Sequence, residues 1–160
     1  MTTPRFAVDK MLGHLATWLR LIGLDATYGA HLSGPTLLHH ARAEQRTVLT
    51  RDRRARRAPA EVQVLFIESD HFREQLQQVV RTFSIDPFRQ VFSRCARCNE
   101  AVVSVSKAQV EARVPPYVLS TQERFVRCPR CQRIYWPATH SVRVRDELRR
   151  MGFRDTGPRI

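Results

Sequence analysis

Lysine is nearly absent from this chain, since only Lys10 and Lys107 occur among its 27 basic residues. Long hydrophobic runs are absent too, and no apolar stretch approaches the ~20 residues that a membrane-spanning helix needs. Residues 1–6 lack the apolar segment of a secretion signal. We therefore expect a cytoplasmic protein without a membrane partner. Its 160 residues, 42% of them hydrophobic, are enough for one ordinary domain and a small appendage.

Cysteine is also scarce, and all four cysteines stand in C-x-x-C pairs. Cys95 pairs with Cys98, and Cys128 pairs with Cys131. In a reducing compartment such pairs bind metal more often than they form disulfides. The 29 residues between the pairs exceed the common spacing of roughly 15–20. Four thiolates still fit one tetrahedral zinc ion and leave it no open position, so the sequence predicts a structural zinc site.

Acidic residues are outnumbered, with 15 against 27 basic ones and a net charge of +12. Residues 1–90 contain 13 basic and 9 acidic residues, and residues 91–160 contain 14 and 6. Almost all of the cations are arginines, whose planar fork binds phosphate with two hydrogen bonds. A basic excess attracts polyanions, so nucleic acid is the expected partner. A genome that favours arginine codons would give the same composition without that function.

The apolar pattern alternates between short strands and longer helices in the first half. Strands are expected at residues 6–8, 25–28, 47–50 and 62–67. Amphipathic helices are expected from Met11 to Ile22, with Met11 on the apolar stripe, and at residues 34–45 and 72–83. This alternation is typical of an α/β domain with a mostly parallel sheet.

A second, smaller unit is expected after Asp86 and Pro87, where the pattern changes to short strands around the cysteines. The expected elements are strands at residues 102–105 and 133–136, an inserted loop at residues 114–118, and an arginine-rich helix at residues 142–151. This arrangement is typical of a β-rich zinc ribbon that ends in a helix.

Three aspartates directly or nearly follow predicted strands: Asp9, Asp52 and Asp70. In an open parallel sheet, ligands bind beyond the carboxyl ends of the strands. If the three strands are neighbours, the carboxylates converge, and a cation such as Mg²⁺ or Mn²⁺ is needed to offset their repulsion. Such an ion activates water and stabilises charge on a phosphate. Each aspartate taken alone is equally typical of a turn or a helix cap.

Two further residues are candidates for the same site. Thr50 can orient water or substrate, or be an ordinary strand residue. Glu44 can add a fourth carboxylate, or be an exposed helical charge.

Several segments, taken in their order along the chain, resemble the Mut-seven C-terminal RNase family, which consists of PIN-like domains carrying a zinc ribbon. They are residues 5–25 (RFAVDKMLGHLATWLRLIGLD), residues 46–53 (RTVLTRDR), Asp70 followed by residues 75–76, the two C-x-x-C pairs, and Tyr135 and Trp136 with His140. The resemblance covers nearly the whole chain.

The resemblance implies a PIN-like α/β sandwich at residues 1–88, a zinc ribbon with a C-terminal helix at residues 89–160, and metal-dependent RNA cleavage. It makes Asp9, Asp52 and Asp70 the catalytic, metal-binding acids, and it makes RNA the partner, without distinction between tRNA, rRNA and mRNA. One feature departs from the family: residues 32–36, at the start of the second helix, contain no acid. Three acids remain where such sites commonly use four.

Arginines near both predicted sites are candidates for contacting RNA. Residues 51–57 include Arg51, Arg53 and Arg54 next to the second aspartate, while Arg97 and Arg130 stand inside the cysteine pairs. Positive side chains there can hold phosphates and stabilise transition-state charge. Solvated surface charge explains them equally simply. Tyr135 and Trp136 are more typical of a small core than of a base-stacking surface.

The sequence thus predicts a Mg²⁺- or Mn²⁺-dependent ribonuclease whose structural zinc ribbon helps to bind RNA. The alternative is a non-catalytic RNA-binding or ribosome-associated protein with a PIN-like fold. A toxin of the PIN type fits less well, because such toxins usually lack a zinc ribbon.

Overall fold

Four parallel strands form the central sheet of the protein in the computed structural model, which describes residues 3–137 and 139–156. The strands are β1 (Arg5–Val8), β2 (Asp25–Tyr28), β3 (Thr47–Thr50) and β4 (Val64–Phe66). They lie in the order β2-β1-β3-β4, and every neighbouring pair is parallel. The predicted α/β fold is therefore confirmed, and strands β1, β3 and β4 are neighbours.

Helices cover both faces of this sheet. The helices of the first unit are α1 (Gly13–Leu21), α2 (Gly34–Ala43) and α3 (Phe72–Thr82). Side chains alternate along β1, so that Phe6 and Val8 join the core beneath α1 and α3 while Ala7 joins the core beneath α2. This alternation is the period of two that a strand imposes. All three side chains are fully buried, which explains the continuous apolar run in the sequence.

The beginning of the first helix differs from the prediction. A 3-10 turn at Lys10–Leu12 precedes α1, and Met11 is 53% exposed rather than on the buried stripe. The 3-10 turn winds more tightly than an α-helix, so helical periodicity does not place its side chains. Gly23 follows the end of the helix with φ of +90°, a left-handed conformation that glycine adopts readily.

The second unit is a three-stranded antiparallel sheet with two short helices. Its elements are β5 (Val103–Val105), α4 (Lys107–Val110), α5 (Pro116–Thr121), β6 (Phe125–Arg127) and β7 (Ile134–Tyr135). The strands lie in the order β5-β6-β7. A small core of Val110, Val114 and Phe125 holds the sheet to the helices.

The prediction of a plain loop at residues 114–118 was wrong, because α5 begins inside that segment. Pro116 occupies the first turn of the helix, where a missing amide hydrogen costs nothing. Val118 and Leu119 then pack against the small core. Two consecutive prolines suggested a loop, whereas the second of them starts a helix.

The last helix, α6 (Thr139–Arg150), packs on the first unit. Val144, Leu148 and Met151 are buried in the same core as α1 and α3. The chain therefore returns to the parallel sheet after the small sheet is complete, although the sequence prediction grouped this helix with the ribbon. Within the described part of the chain, no helix has the length and apolar character required to cross a membrane.

Candidate functional site

Asp9 lies at the carboxyl end of β1 and is only 2% exposed. Its backbone amide donates to the carbonyl of Leu49, which fixes it against β3. The Thr50 hydroxyl donates to Asp9 Oδ2 at 2.6 Å, but Asp9 Oδ1 is buried without a hydrogen-bond partner. An unpaired buried carboxylate oxygen is costly, so such an atom indicates a site for a cation or a donor from outside the chain.

Asp52 lies at the carboxyl end of the neighbouring strand β3. Its backbone amide donates to the Thr50 hydroxyl at 2.9 Å, so one threonine is hydrogen-bonded to both aspartates. Arg54 Nε donates to both carboxylate oxygens of Asp52, at 3.0 and 3.1 Å, and Arg54 Nη2 donates to Asp52 Oδ2 at 2.8 Å. This contact with Arg54 holds the pKa of Asp52 below its usual value, so the carboxylate is ionised at neutral pH.

A cavity of about 280 Å³ opens at this edge of the sheet, and both aspartates line it. The remaining walls include Thr50, Arg54 and the start of α2 at Gly34 and Pro35. Helix α2 therefore reaches the cavity without contributing a carboxylate, as the absence of acids from residues 32–36 indicated. Two acids, one hydroxyl and one guanidinium are the polar groups that face this space.

Asp70 is not brought to this cavity. It follows β4, the next strand along, but its side chain is 78% exposed and contacts the imidazole of His71 at 3.6 Å. Among the described residues, no three acidic or histidine side chains converge within ligand distance of one another. Strand order placed the third aspartate at the correct edge, and the loop after β4 carries it into solvent.

Glu44 lies at the opposite edge of the sheet, so the suggestion that it joins the acidic site was wrong. Its carboxylate pairs with Arg46 at 2.6 Å and with Arg5 at 3.8 Å. Both arginines precede or begin a strand, and the amino ends of parallel strands share one edge.

The candidate RNA-binding arginines have different surroundings. Arg51 donates to the carbonyls of Ile67 and Glu68, which fastens the loop after β3 to the end of β4. Arg54 is committed to Asp52 in this conformation, while Arg53 is exposed near it. Arg97 and Arg130 are also exposed.

The four cysteines converge as predicted. The sulfurs of Cys95, Cys98, Cys128 and Cys131 all lie within 4.8 Å of one another, close enough to surround one metal ion. Each pair is shaped in the same way, because the amide of the second cysteine points to the sulfur of the first, at 3.4 and 3.5 Å. Four cysteine sulfurs in this arrangement fit a closed, structural zinc site.

Tyr135 supports the cluster through a hydrogen bond of 3.0 Å between its hydroxyl and Cys95 Sγ. Burial raises the pKa of Cys95, but this bond and the amides of Cys98 and Arg97 together lower it to about 7. By contrast, burial, the neighbouring Cys131 and the negative charge of Cys95 raise the pKa of Cys98 to about 12. Thiolates are the form that binds metal, so metal binding at this cluster would release protons and depend on pH.

Trp136 packs against Phe125 in the small core, with ring centroids 6.4 Å apart. The two aromatics of this segment are thus used for packing and for supporting a cysteine. The side chain of His140, which belongs to the same sequence resemblance, lies outside the described residues.

The first cysteine pair is docked on the parallel sheet by Arg20 from α1. The buried Arg20 guanidinium donates to the carbonyls of Ala96 and Arg97, at 3.1 and 3.0 Å, and to the carbonyl of Ala26 at 2.8 Å. Ala96 and Arg97 lie between the two cysteines of the first pair, so the Arg20 guanidinium also lies close to the sulfur atoms of that pair. Arg20 therefore couples the metal cluster to the first unit.

Asn99 makes a second connection at the edge strand β2. Its side-chain oxygen accepts from the Ala26 amide at 2.9 Å, and its amide donates to Asp25 at 2.7 Å. Asn99 itself has φ of +66°, a conformation that asparagine tolerates better than most residues. The residue after the cysteine pair thus caps an otherwise open strand edge.

Asp25 links these contacts to Arg46. The Arg46 guanidinium donates to both carboxylate oxygens, at 2.6 and 3.3 Å, and its side chain is only 5% exposed. Burial raises the pKa of Asp25, but the hydrogen bonds from Arg46 and Asn99 and the charge of Arg46 lower it to about 2. A carboxyl with a depressed pKa stabilises the fold above the pKa of the unfolded chain and loses this effect as the pH falls.

We expect the Asp25→Asn variant to be less stable than the parent at pH 7, by about 2 kcal/mol, because that is the free energy of the shift from the ordinary pKa to about 2. The difference between the two proteins should shrink as the pH falls from about 4 to about 2. Urea unfolding of both proteins at each pH measures this difference in unfolding free energy. Comparing the two proteins at each pH removes the contribution of acid-induced metal loss, which affects both. A difference that stays constant down to pH 2 would contradict this account.

Sequence reasoning missed Arg20, Asp25 and Asn99. A detectable signal existed for Arg20, which interrupts an otherwise apolar stripe on α1. The pairing of Asp25 with Asn99 joins residues 74 positions apart and has no local pattern.

Comparison with known proteins gives one family. The Mut7-C RNAse domain family matches residues 4–148, nearly the whole chain. No curated protein and no solved structure matches.

Proposed function

The chain belongs to the Mut7-C RNAse domain family, and on this basis we propose that it is a metal-dependent ribonuclease that hydrolyses RNA phosphodiester bonds. The observation that carries the metal requirement is the buried Asp9 carboxylate, whose Oδ1 has no partner. Carboxylate oxygens are the ligands that Mg²⁺ and Mn²⁺ prefer. The donor set at this edge of the sheet therefore fits such an ion.

Asp9 and Asp52 would hold the ion, and we infer that Asp70, whose side chain lies outside the cavity in this conformation, would act as a third acid. When bound there, a divalent ion lowers the pKa of water and stabilises charge on the phosphate. Thr50 keeps the first two acids in register through its two hydrogen bonds. Because Asp70 is exposed, we infer that it contributes less than the other two.

Arg54 has a specific part in this proposal. It neutralises Asp52 in the present conformation and lines the same cavity. A phosphate of the substrate offers the guanidinium a second acceptor, so RNA binding and release of the Asp52 carboxylate occur together. Arg53, Arg97 and Arg130 are exposed and available to phosphates, and zinc bound by the four cysteines would hold the ribbon that carries the last two.

The test is cleavage of single-stranded and structured RNAs with and without Mn²⁺. We expect metal-dependent cleavage by the parent protein and at least ~100-fold less by the Asp9→Asn/Asp52→Asn double variant, because several kcal/mol of transition-state stabilisation are lost. The Asp70→Asn variant should lose less activity than the double variant. Equal cleavage by parent and double variant would mean that a contaminating nuclease, not this site, is responsible.

A second candidate function is RNA binding without cleavage, as in a ribosome-associated protein. The observation that favours it is the exposed Asp70 together with the absence of an acid from α2, which leaves two carboxylates in the cavity. RNA binding that persists in the same assay while no substrate is cleaved would support this function instead.

A further inference from the structure

A cavity of about 500 Å³ lies between residues of α1, α3 and α6, and no residue lines both this cavity and the acidic one. Three rings line it, those of His14, Trp18 and Phe72. The charged lining residues are Arg73, Arg143, Asp146, Glu147 and Arg150. Its volume lies within the range of small-molecule sites, roughly 300–1,000 Å³.

The rings of His14 and Trp18 both stack against the ring of Phe72. The His14 and Phe72 centroids are 4.1 Å apart, and those of Trp18 and Phe72 are 5.8 Å apart, both pairs at 27°. Trp18 and Phe72 are half-buried and pack against the main core, whereas His14 is exposed. The core therefore positions Trp18 and Phe72, while the ring of His14 remains accessible. Such rings are the surfaces on which proteins stack unpaired bases.

The charges around the rings favour an anion. The Glu147 carboxylate is paired with Arg73 at 2.6 Å and with Arg150 at 3.4 Å. Asp146 is likewise paired, with Arg149 at 2.9 Å. Among the described residues none is paired with the exposed Arg143. Both acids are thus neutralised by arginines, and one guanidinium is left for a phosphate.

These rings also lie near the carboxyl ends of the strands, where the acidic cavity opens. Helix α1 begins four residues after Asp9, and Phe72 follows Asp70 by two residues. Both helices start at the carboxyl edge, where the acidic cavity opens. The rings therefore lie near the same edge of the sheet as the acidic cavity, on the face that α1 and α3 cover.

We propose that this cavity is a base-stacking site for single-stranded RNA, in which an unpaired base stacks on the exposed ring of His14, which Phe72 supports from behind, while Arg143 contacts a phosphate. The choice of RNA as ligand rests on the proposed function, but the site itself needs no cleavage. A base held in a duplex is not available to the rings, so the site selects single strands.

Binding is measured with a short labelled single-stranded RNA, without added Mn²⁺, by fluorescence anisotropy. We expect His14→Ala to weaken binding at least about fivefold, the lower end of what one stacked base contributes. Arg143→Ala should weaken binding and reduce its salt dependence by about one phosphate contact. Arg81→Ala is the matched control, because this exposed arginine of α3 does not line the cavity. Arg81→Ala should weaken RNA binding less than Arg143→Ala does.

Tryptophan fluorescence reports whether RNA occupies the cavity, because Trp18 lines it and the chain contains only one other tryptophan, Trp136. In the Trp136→Phe variant, RNA should quench the emission of Trp18. In the Trp18→Phe variant, the emission of Trp136, which lies in the ribbon core, should stay unchanged. RNA binding that leaves Trp18 emission unaltered, equal losses of duplex and single-strand binding in His14→Ala, or no RNA binding at all would overturn this site. Intact binding and quenching without cleavage would reject the ribonuclease and retain the site.

Discussion

We expect the Asp9→Asn variant to lose metal-dependent RNA cleavage by at least ~100-fold and yet to be more stable than the parent when no divalent ion is present, by about 1–2 kcal/mol. Asp9 is 2% exposed, and its Oδ1 has no hydrogen-bond partner. A buried carboxylate in that condition opposes folding. The neutral amide still accepts the hydrogen bond of Thr50 and is less costly to bury.

The same substitution removes a charge that a divalent ion needs. Mn²⁺ should therefore raise the melting temperature of the parent and leave that of Asp9→Asn unchanged, because only a ligand that binds the folded state stabilises it. Calorimetry with and without Mn²⁺ measures the melting temperatures of both proteins and the change that Mn²⁺ causes in each. This opposition between stability and activity is typical of functional sites.

Two variants control this prediction. Asp52→Asn should also abolish cleavage but should not stabilise the protein, because Asp52 is already paired with Arg54. Glu111→Gln removes one charge from an exposed position of the ribbon and should change neither property. A lower melting temperature for Asp9→Asn than for the parent in metal-free buffer would show that the buried carboxylate has a stabilising partner.

Loss of the cysteine cluster should have the largest effect on stability. We expect the Cys128→Ser/Cys131→Ser variant to lose about one zinc ion per chain and at least ~3 kcal/mol of stability, a fall of roughly 10 °C in melting temperature. The small unit has a core of few buried residues, and units of that size depend on such a metal.

The effect should reach the parallel sheet through Arg20. When the first cysteine pair unfolds, Arg20 loses the carbonyls of Ala96 and Arg97 and remains as a buried cation with fewer acceptors. Hydrogen exchange should then increase in α1 and in the edge strand β2, where Asn99 no longer caps Ala26. Elemental analysis, calorimetry and hydrogen exchange check these three outcomes.

Arg20→Gln separates the metal from its docking. This variant keeps all four cysteines, so it should retain zinc while showing the increased exchange in α1 and β2. Removal of zinc from the parent by a chelator should reproduce the double cysteine variant, and added zinc should reverse it. A zinc-free protein that melts like the parent would show that the cluster contributes nothing to stability.

The local patterns predicted most elements of the fold. Apolar alternation placed β1, β2 and β3 within a residue, and helical periodicity placed α2 and α3 within two residues. The errors have a common cause, since the 3-10 turn before α1 and the proline-initiated α5 are short elements without a full period. Helix α6 was found, but its amphipathic pattern does not say which core it joins.

Sequence by itself determined the four cysteines, the aspartates after β1 and β3, and the strand ends on which they stand, because spacing and periodicity are local properties of the chain. Only the tertiary structure decided that Asp9 is buried, that Thr50 joins it to Asp52, that Asp70 is left in solvent and that Glu44 lies at the other edge. The same holds for Arg20 and for the ring stack of α1 and α3. These features depend on which side chains from distant segments meet, and that is set by the packing of whole elements rather than by the residues beside them.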